Sequence, residues 1–488
     1  MKRCLALCLA LLMLPASTLA ENRVFYEIFP ASFRDSDGDG CGDLNGITEM
    51  LDYIADLGAE GIWLMPICPS PTYHKYDVTD YKAIAPEYGT MEDFDRLAAE
   101  TDARGIRLLV DLVLNHSSSL HPWFLEASRC LANGEESPYT DYYHFSQEAI
   151  PGWHTVPGAP GWYYEGGFTY EMPDLNLDNE SLRQEILSIC KFWIDHGVDG
   201  FRLDAVLHYY GEDIAQNVAF LTWLMEHLRE MKPDIYVVGE AWKDAGTIAQ
   251  YYPSGISSLF NFPFSGAEGE IVNAIRSKKG ASFAKKAEKW YATVSANGGV
   301  DAPFLSNHDN ARVAGTLMQK TANLKLAASM MLTLPGNPFI YYGEEIGMTG
   351  SGRDENKRLP MIWGENESIC LPPANADQTA SCQGSVREQL HDPASLLNHY
   401  KTLTALRKQY PAIANGTLTA LETENNSVCA YRLEYSGETI FVMHNLGRKE
   451  ATVAFSGSLV AALPCAEGEI LLNDGMLTLP AQSTAILK

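Results

Sequence analysis

Eight short, β-rich apolar runs recur along the chain with amphipathic helical stretches between them, and this alternation limits the possible folds more than any other feature. The runs are 24–29 (VFYEIF), 61–67 (GIWLMPI), 106–114 (IRLLVDLVL), 199–206 (DGFRLDAV), 235–240 (IYVVGE), 257–262 (SSLFNF), 302–306 (APFLS) and 338–343 (PFIYYG). Most are continuously apolar, as strands buried on both faces should be. In residues 44–58, Leu44, Ile47, Leu51, Ile54 and Leu57 fall on one helical stripe, and Phe192, Trp193 and Ile194 end a second such helix. Repeated β-α units of this kind predict a closed parallel (β/α)₈ barrel rather than an open sheet.

Two segments depart from the alternation. Residues 117–178, between the third and fourth runs, are rich in Gly, Pro, Tyr and Trp. A connection this long inside a compact domain is usually functional, and it is expected to form a small inserted domain over the barrel mouth. After a helix at 391–409 and Pro411, alternating patterns such as VCAYRLEY and TIFVMHN predict an antiparallel β-sandwich over 411–488. The barrel is then expected to comprise 21–116 and 179–410. No internal repeat and no low-complexity tract interrupts this plan.

The first twenty residues combine a basic start (Lys2, Arg3), an apolar run from Cys4 to Leu14 and small residues ending at Ala20. They read as a secretory signal peptide cleaved after Ala20, which places the mature protein outside the cell. No later run of apolar residues is long enough to span a bilayer. The formal net charge is −26. That balance repels nucleic acid and anionic lipid and favours a neutral or cationic partner. Export permits disulfides. Cys370 with Cys382 and Cys429 with Cys465 are the candidate pairs, while Cys41, Cys68, Cys130 and Cys190 are expected to be thiols. No CxxC or other metal-ligand spacing occurs.

In a barrel the reactive side chains gather at the C-terminal ends of the strands. The third run ends on Asp111, Asn115 and His116. The fourth supplies Arg202, Asp204 and His208, the fifth Glu240, and the seventh Asn307, His308 and Asp309. Three carboxylates (Asp204, Glu240, Asp309) on separate strands are costly at one mouth unless they are used or paired. No GxSxG elbow, GxGxxG, P-loop or HExxH is present. Paired carboxylates among aromatics fit glycoside cleavage, in which one carboxyl protonates the leaving oxygen and the other supports an oxocarbenium-like centre.

These residues lie in motifs that closely resemble those of glycoside hydrolase family 13, the α-amylase family. DLVLNH (111–116), GFRLDAVLH (200–208), VVGEAW (237–242) and FLSNHD (304–309) are similar to its four motifs, in order. MPDLN (172–176) resembles a fifth, of an intermediate subfamily, and YHKYDVTDY (73–81) and PEYGT (86–90) are also similar to the family. The resemblance implies that Asp204 is the nucleophile, that Glu240 is the general acid/base, and that Asp309 binds sugar hydroxyls. It implies that Arg202 keeps Asp204 ionised and that Tyr76 stacks under the scissile sugar. It further implies that His116 and His308 donate to sugar hydroxyls, with His74 and His208 also lining the substrate site. Two positions depart from the family pattern. Leu207 stands where a Lys is often found, and Lys75 replaces a Gly before Tyr76.

The acidic loop DSDGDGCGD (35–43) places Asp35, Asp37 and Asp39 at positions 1, 3 and 5, Gly40 at 6, and the Cys41 carbonyl and Asp43 at 7 and 9. This oxygen spacing suits Ca²⁺, although Gly46 at position 12 means the loop is not an EF-hand. Similar loops in the family bind calcium. By resemblance, Asn115, Asp174 and the His208 carbonyl form a second candidate calcium site.

The expected function is a secreted, retaining, endo-acting α-amylase on starch and maltooligosaccharides, working as a monomer that binds neither nucleic acid nor membrane. An oligo-1,6-glucosidase, a neopullulanase-like enzyme or a 4-α-glucanotransferase of the same family is the alternative. A non-catalytic sugar-binding barrel is the remote one, since it predicts loss of the carboxylates.

Overall fold

The computed structural model describes residues 22–364, 367 and 370–488, so the expected signal peptide lies outside the described residues. Eight parallel strands follow the predicted runs: β1 (Phe25–Ile28), β2 (Gly61–Leu64), β3 (Arg107–Leu112), β4 (Gly200–Leu203), β5 (Tyr236–Gly239), β6 (Ser258–Phe260), β7 (Val300–Ala302) and β8 (Phe339–Tyr341). They are hydrogen-bonded in the order β7-β6-β5-β4-β3-β2-β1-β8. A parallel bridge between Phe304 and Phe339 brings the two ends of the sheet together, giving the (β/α)₈ barrel. The seventh strand ends earlier than the run 302–306 suggests. Pro303 has no N–H to give the ladder, and its carbonyl alone bonds to the Phe339 N–H at 2.9 Å.

Aromatic rings fill the barrel. Phe25 stacks between Tyr236 and Phe339 at 4.9 and 4.8 Å, and Trp63 packs on Phe260 at 5.4 Å. The floor leaves no room for side chains where strands approach most closely. A Cβ on Gly200 would sit 1.9 Å from the Tyr236 carbonyl oxygen. The stripe predicted for 44–58 is buried throughout, but it belongs to two helices, Leu44–Glu49 and Leu51–Asp56. The Met50 N–H reaches back only to Ile47, closing the first segment in a tight turn. The helix expected at 391–409 begins at Leu396, where Ser395 caps it by accepting from the Asn398 N–H at 3.1 Å.

Between β3 and β4 the chain forms a helix (Pro122–Asn133) and a small sheet of three two-residue strands (Phe145–Ser146, His154–Thr155, Tyr163–Tyr164). It returns along its own start, with the Leu175 N–H donating to the Asn115 carbonyl at 2.9 Å. After Asn415 come two antiparallel sheets. One has five strands in the order β9 (Thr417–Ala420), β10 (Val428–Tyr435), β11 (Glu438–Asn445), β16 (Ser483–Leu487), β13 (Leu459–Pro464). The other has three, in the order β12 (Ala451–Ala454), β15 (Met476–Leu479), β14 (Leu471–Asn473). Val428, Met443, Leu477, Leu479 and Leu487 form the core between them.

The cysteine pairs expected from the sequence do not form: all eight described cysteines are free. The Cys382 thiol turns to the Gly384 carbonyl at 3.1 Å instead of Cys370. Cys429 and Cys465 are separately buried in apolar surroundings that push their thiols well up. Among the described residues no helix is long and apolar enough to cross a membrane.

Candidate active site

The register of the barrel sets the centre of the site. Asp111 on β3 and Arg202 on β4 are direct parallel partners. Their side chains meet in the barrel mouth, with Arg202 Nη1 3.0 Å from Asp111 Oδ1. The same nitrogen lies 2.6 Å from Asp204 Oδ1, and Nη2 lies 3.1 Å from Glu240 Oε2. One fully buried guanidinium thus joins three carboxylates from three adjacent strands. It is itself clamped against the rings of Trp63 and Tyr76, at 5.1 and 5.7 Å.

The backbone after Asp204 turns through Ala205 at φ +49°, an uncommon conformation for a residue with a Cβ. The turn aims the Ala205 N–H at Glu240 Oε2, 3.0 Å away. Burial raises the Glu240 carboxyl above its ordinary range; Arg202 pulls it down, and the nearby Asp204 and Asp309 push it up again. Asp111 is likewise pushed up to about 7, by burial first, with Arg202 acting against it.

Asp309 sits across the mouth in a different field. Burial alone would raise its carboxyl, but His308 and then Arg358 more than reverse this and hold it well below the usual carboxylate range. His308 Nε2 is 3.0 Å from Asp309 Oδ2, and Arg358 Nη2 donates to Oδ1 at 3.2 Å. The Tyr76 hydroxyl lies 2.8 Å from His308 Nε2 and donates to Asp111 Oδ2 at 3.1 Å. It thereby ties the Asp309 side of the mouth to the Arg202 side.

The remaining predicted histidines differ from one another. His116 is buried and neutral, its pKa lowered to about 4 by desolvation, and its Nε2 has no protein partner. His74 is held below its ordinary value by burial, and its Nδ1 accepts from the Tyr76 N–H at 3.1 Å. His208 is exposed. Phe168 of the inserted segment stands between the His116 and His208 rings, at 5.2 and 5.1 Å. Lys75 takes the left-handed conformation (φ +61°) that a Gly would adopt freely. Its buried ammonium pairs with Glu87 and lies over the Tyr88 ring. Leu207 is buried.

In the acidic loop, Asp35, Asp37 and Asp39 each bring a carboxylate oxygen within 4.8 Å of the others. Hard oxygen ligands converging from a short loop fit a calcium ion. Asp43 stands outside this group. Its carboxylate caps the helix Leu44–Glu49 through the Gly46 N–H at 2.7 Å and also accepts from Ser36. The backbone N–H of Cys41 donates to Asp39 at 2.7 Å. At the second candidate site Asn115 and Asp174 meet at 3.2 Å, and burial pushes Asp174 up to about 7. The His208 carbonyl accepts from the Gly211 N–H at 3.1 Å.

The family description "Alpha amylase, catalytic domain" matches residues 27–416. The chain belongs to the α-amylase family of glycoside hydrolases. Alpha-amylase 3 of Dictyoglomus thermophilum is 42% identical over 90% of this chain and 87% of its own length. The glucan 1,6-alpha-glucosidase of Streptococcus pneumoniae is 33% identical over 91% and 94% of the two chains. The solved structure of Eubacterium rectale Amy13B superposes with a TM-score of 0.92 at 42% identity, covering 96% of this chain and 95% of that one.

Two residues of this α-amylase family site escape a reading based on strand ends. Arg358 reaches Asp309 from the loop after β8, far away in sequence, and also bonds the Tyr73 hydroxyl at 2.8 Å. Glu27 lies mid-strand on β1 and accepts from His308 Nδ1 at 2.7 Å. Its one available signal was a lone carboxylate inside the apolar run VFYEIF.

Proposed function

We propose that the protein is a secreted, retaining α-amylase that hydrolyses internal α-1,4-glucosidic bonds of starch and maltooligosaccharides, with Asp204 as nucleophile and Glu240 as general acid/base. The observation that carries this reading is the single Arg202 guanidinium contacting both carboxylates. Double displacement with retention needs two carboxyls about 5–5.5 Å apart, and two carboxylates held by one guanidinium are suited to that spacing. Glu240, whose carboxyl pKa is raised by burial, gives its proton to the glycosidic oxygen as Asp204 bonds to the anomeric carbon. The Glu240 carboxylate then takes a proton from water, the water oxygen attacks the anomeric carbon, and Asp204 is released. Asp309, anchored by His308 and Arg358, accepts from sugar hydroxyls. The free Nε2 of His116 supplies a further polar contact, and Tyr76 offers a ring face to the sugar, with His74 and His208 at the margin.

The leader over residues 1–20 supports secretion. A calcium ion held by Asp35, Asp37 and Asp39 would neutralise their mutual repulsion and stiffen the loop after β1; it would serve structure and not substrate. The second reading, a 1,6-glucosidase, is favoured by relatives so named at lower identity. Product analysis on amylose, pullulan and isomaltose separates the two. An α-amylase releases oligosaccharides of several lengths from amylose and leaves isomaltose intact. Cleavage of isomaltose with amylose untouched would overturn the assignment.

A further inference from the structure

We infer that Glu27 is a positioning residue that keeps His308 doubly protonated, so that the imidazolium holds Asp309 and Tyr76 in their places beneath the substrate. The inference rests on the reading of Asp309 as a sugar-binding group. Its basis is the geometry of one imidazole between two carboxylates. His308 Nδ1 lies 2.7 Å from Glu27 Oε1, and Nε2 lies 3.0 Å from Asp309 Oδ2. A neutral imidazole carries one N–H. With the proton on Nδ1, a lone pair faces Asp309; with it on Nε2, a lone pair faces Glu27. With both carboxylates ionised, only the doubly protonated ring satisfies both; burial raises the Glu27 carboxyl, and the contact with His308 acts against that rise. A doubly protonated ring also lets the Tyr76 hydroxyl accept from Nε2 while it donates to Asp111 Oδ2.

Each element around the ring contributes a group. β1 gives Glu27, which also accepts from the His308 backbone N–H at 3.3 Å. The loop after β2 gives Tyr76, and β2 itself turns Trp63 against the ring at 5.6 Å. Asp111 of β3, Arg202 of β4 and Tyr341 of β8 are the next titratable or charged groups around the pair. Arg358 completes the far side of Asp309. Burial alone would strip His308 of its second proton, but Asp309 and Glu27 outweigh burial and raise its pKa to about 9. Glu27 touches no position open to substrate: it is 1% exposed, behind the imidazole. Its effect must pass through His308.

Glu27→Gln keeps the shape and removes the charge. The first measurement is the titration of His308 by ¹⁵N-imidazole NMR, assigned by difference against His308→Asn. The native ring should remain an imidazolium at neutral pH, and in Glu27→Gln its midpoint should fall by about 1–3 pH units, the usual effect of losing an adjacent opposite charge. The second is the ratio of variant to native kcat/KM, expected to fall about tenfold as pH rises from about 6 to about 8, because the variant titrates in that window while the native ring largely keeps its imidazolium. Glu27→Asp retains the charge and should restore most of the native pH dependence. A neutral His308 in the native protein at pH 7 overturns the inference whether or not Glu27→Gln folds. So does a variant-to-native ratio that does not change with pH, as a purely structural role would give. A native protein inactive on every glucan would overturn the catalytic reading, and the NMR titration would still decide this one.

Discussion

The turn at Ala205 links two carboxylates that lie far apart in sequence. A non-glycine residue in the left-handed region costs about 1–3 kcal/mol, and here it lets a backbone N–H orient Glu240 directly beside Asp204. Asp204→Asn and Glu240→Gln each remove one of the two carboxylates proposed to react, without changing volume. Each should lower kcat by about 10⁴-fold or more, as loss of essential groups does in other hydrolases, while circular dichroism and melting stay near native. Substantial turnover by both purified variants would defeat the assignment. The pH dependence follows from the same contacts. Glu240 must hold its proton to serve as the acid, and burial raises its pKa, so activity falls as pH rises through that raised value. Double displacement also needs an anionic nucleophile, so activity should fall in acid as well. A profile of kcat/KM with only one limb across the stable range would count against a carboxylate pair with divided roles.

The first loop of the barrel shows what a sequence reveals about an element and what it hides. Asp35, Asp37 and Asp39 were legible as a converging carboxylate set because alternate acidic residues in a Gly-rich turn bring oxygens together. Asp43, four residues further on, has the same residue type, yet it caps a helix, because capping and ligation both ask for a short side-chain oxygen. The strand ends were legible for a similar reason: a polar residue closing an apolar run at a barrel mouth has few other uses. Arg358 and Glu27 were not, since one arrives from a distant loop and the other sits mid-strand, where the pattern only says buried. For the loop itself, a calcium ion that binds the native state alone adds about 2.7 kcal/mol at 100 times its Kd. EDTA should therefore lower Tm, and Ca²⁺ should restore it more fully than Mg²⁺, which demands a stricter geometry. Asp37→Ala with Asp39→Ala should reproduce the EDTA effect while kcat stays near native at low temperature. If that double variant melts like the native protein in calcium and still shifts fully on chelation, the ion sits elsewhere, with Asn115 and Asp174 the next place to look.

At the scale of the whole molecule, the C-terminal sheets share a core with the barrel. Tyr431, Leu433, Ile440 and Val442 of the five-stranded sheet belong to the same continuous apolar cluster as Leu326, Met330 and Leu403 of the barrel helices. Polar contacts cross the same boundary in a buried setting. The Tyr431 hydroxyl and Thr333 Oγ1 are 2.6 Å apart, and His444 Nε2 lies 3.3 Å from the same Thr333 oxygen. Arg407, on the last barrel helix, ties the Leu332 and Leu334 carbonyls at 3.0 and 2.6 Å on the barrel side of that seam. A boundary that is apolar and hydrogen-bonded in this way couples the two parts, so they should unfold together. Calorimetry of the native protein should show one cooperative transition. Tyr431→Ala, which empties a fully buried aromatic position, should lower stability by about 3–5 kcal/mol and move that single transition down as a unit. Truncation after Asn415 should yield an insoluble or non-cooperative chain, because the barrel face under β10 and β11 would be left in water. Two separable transitions in the native protein, or a truncated barrel that melts cooperatively at the native temperature, would show instead that the C-terminal sheets are an independent attachment.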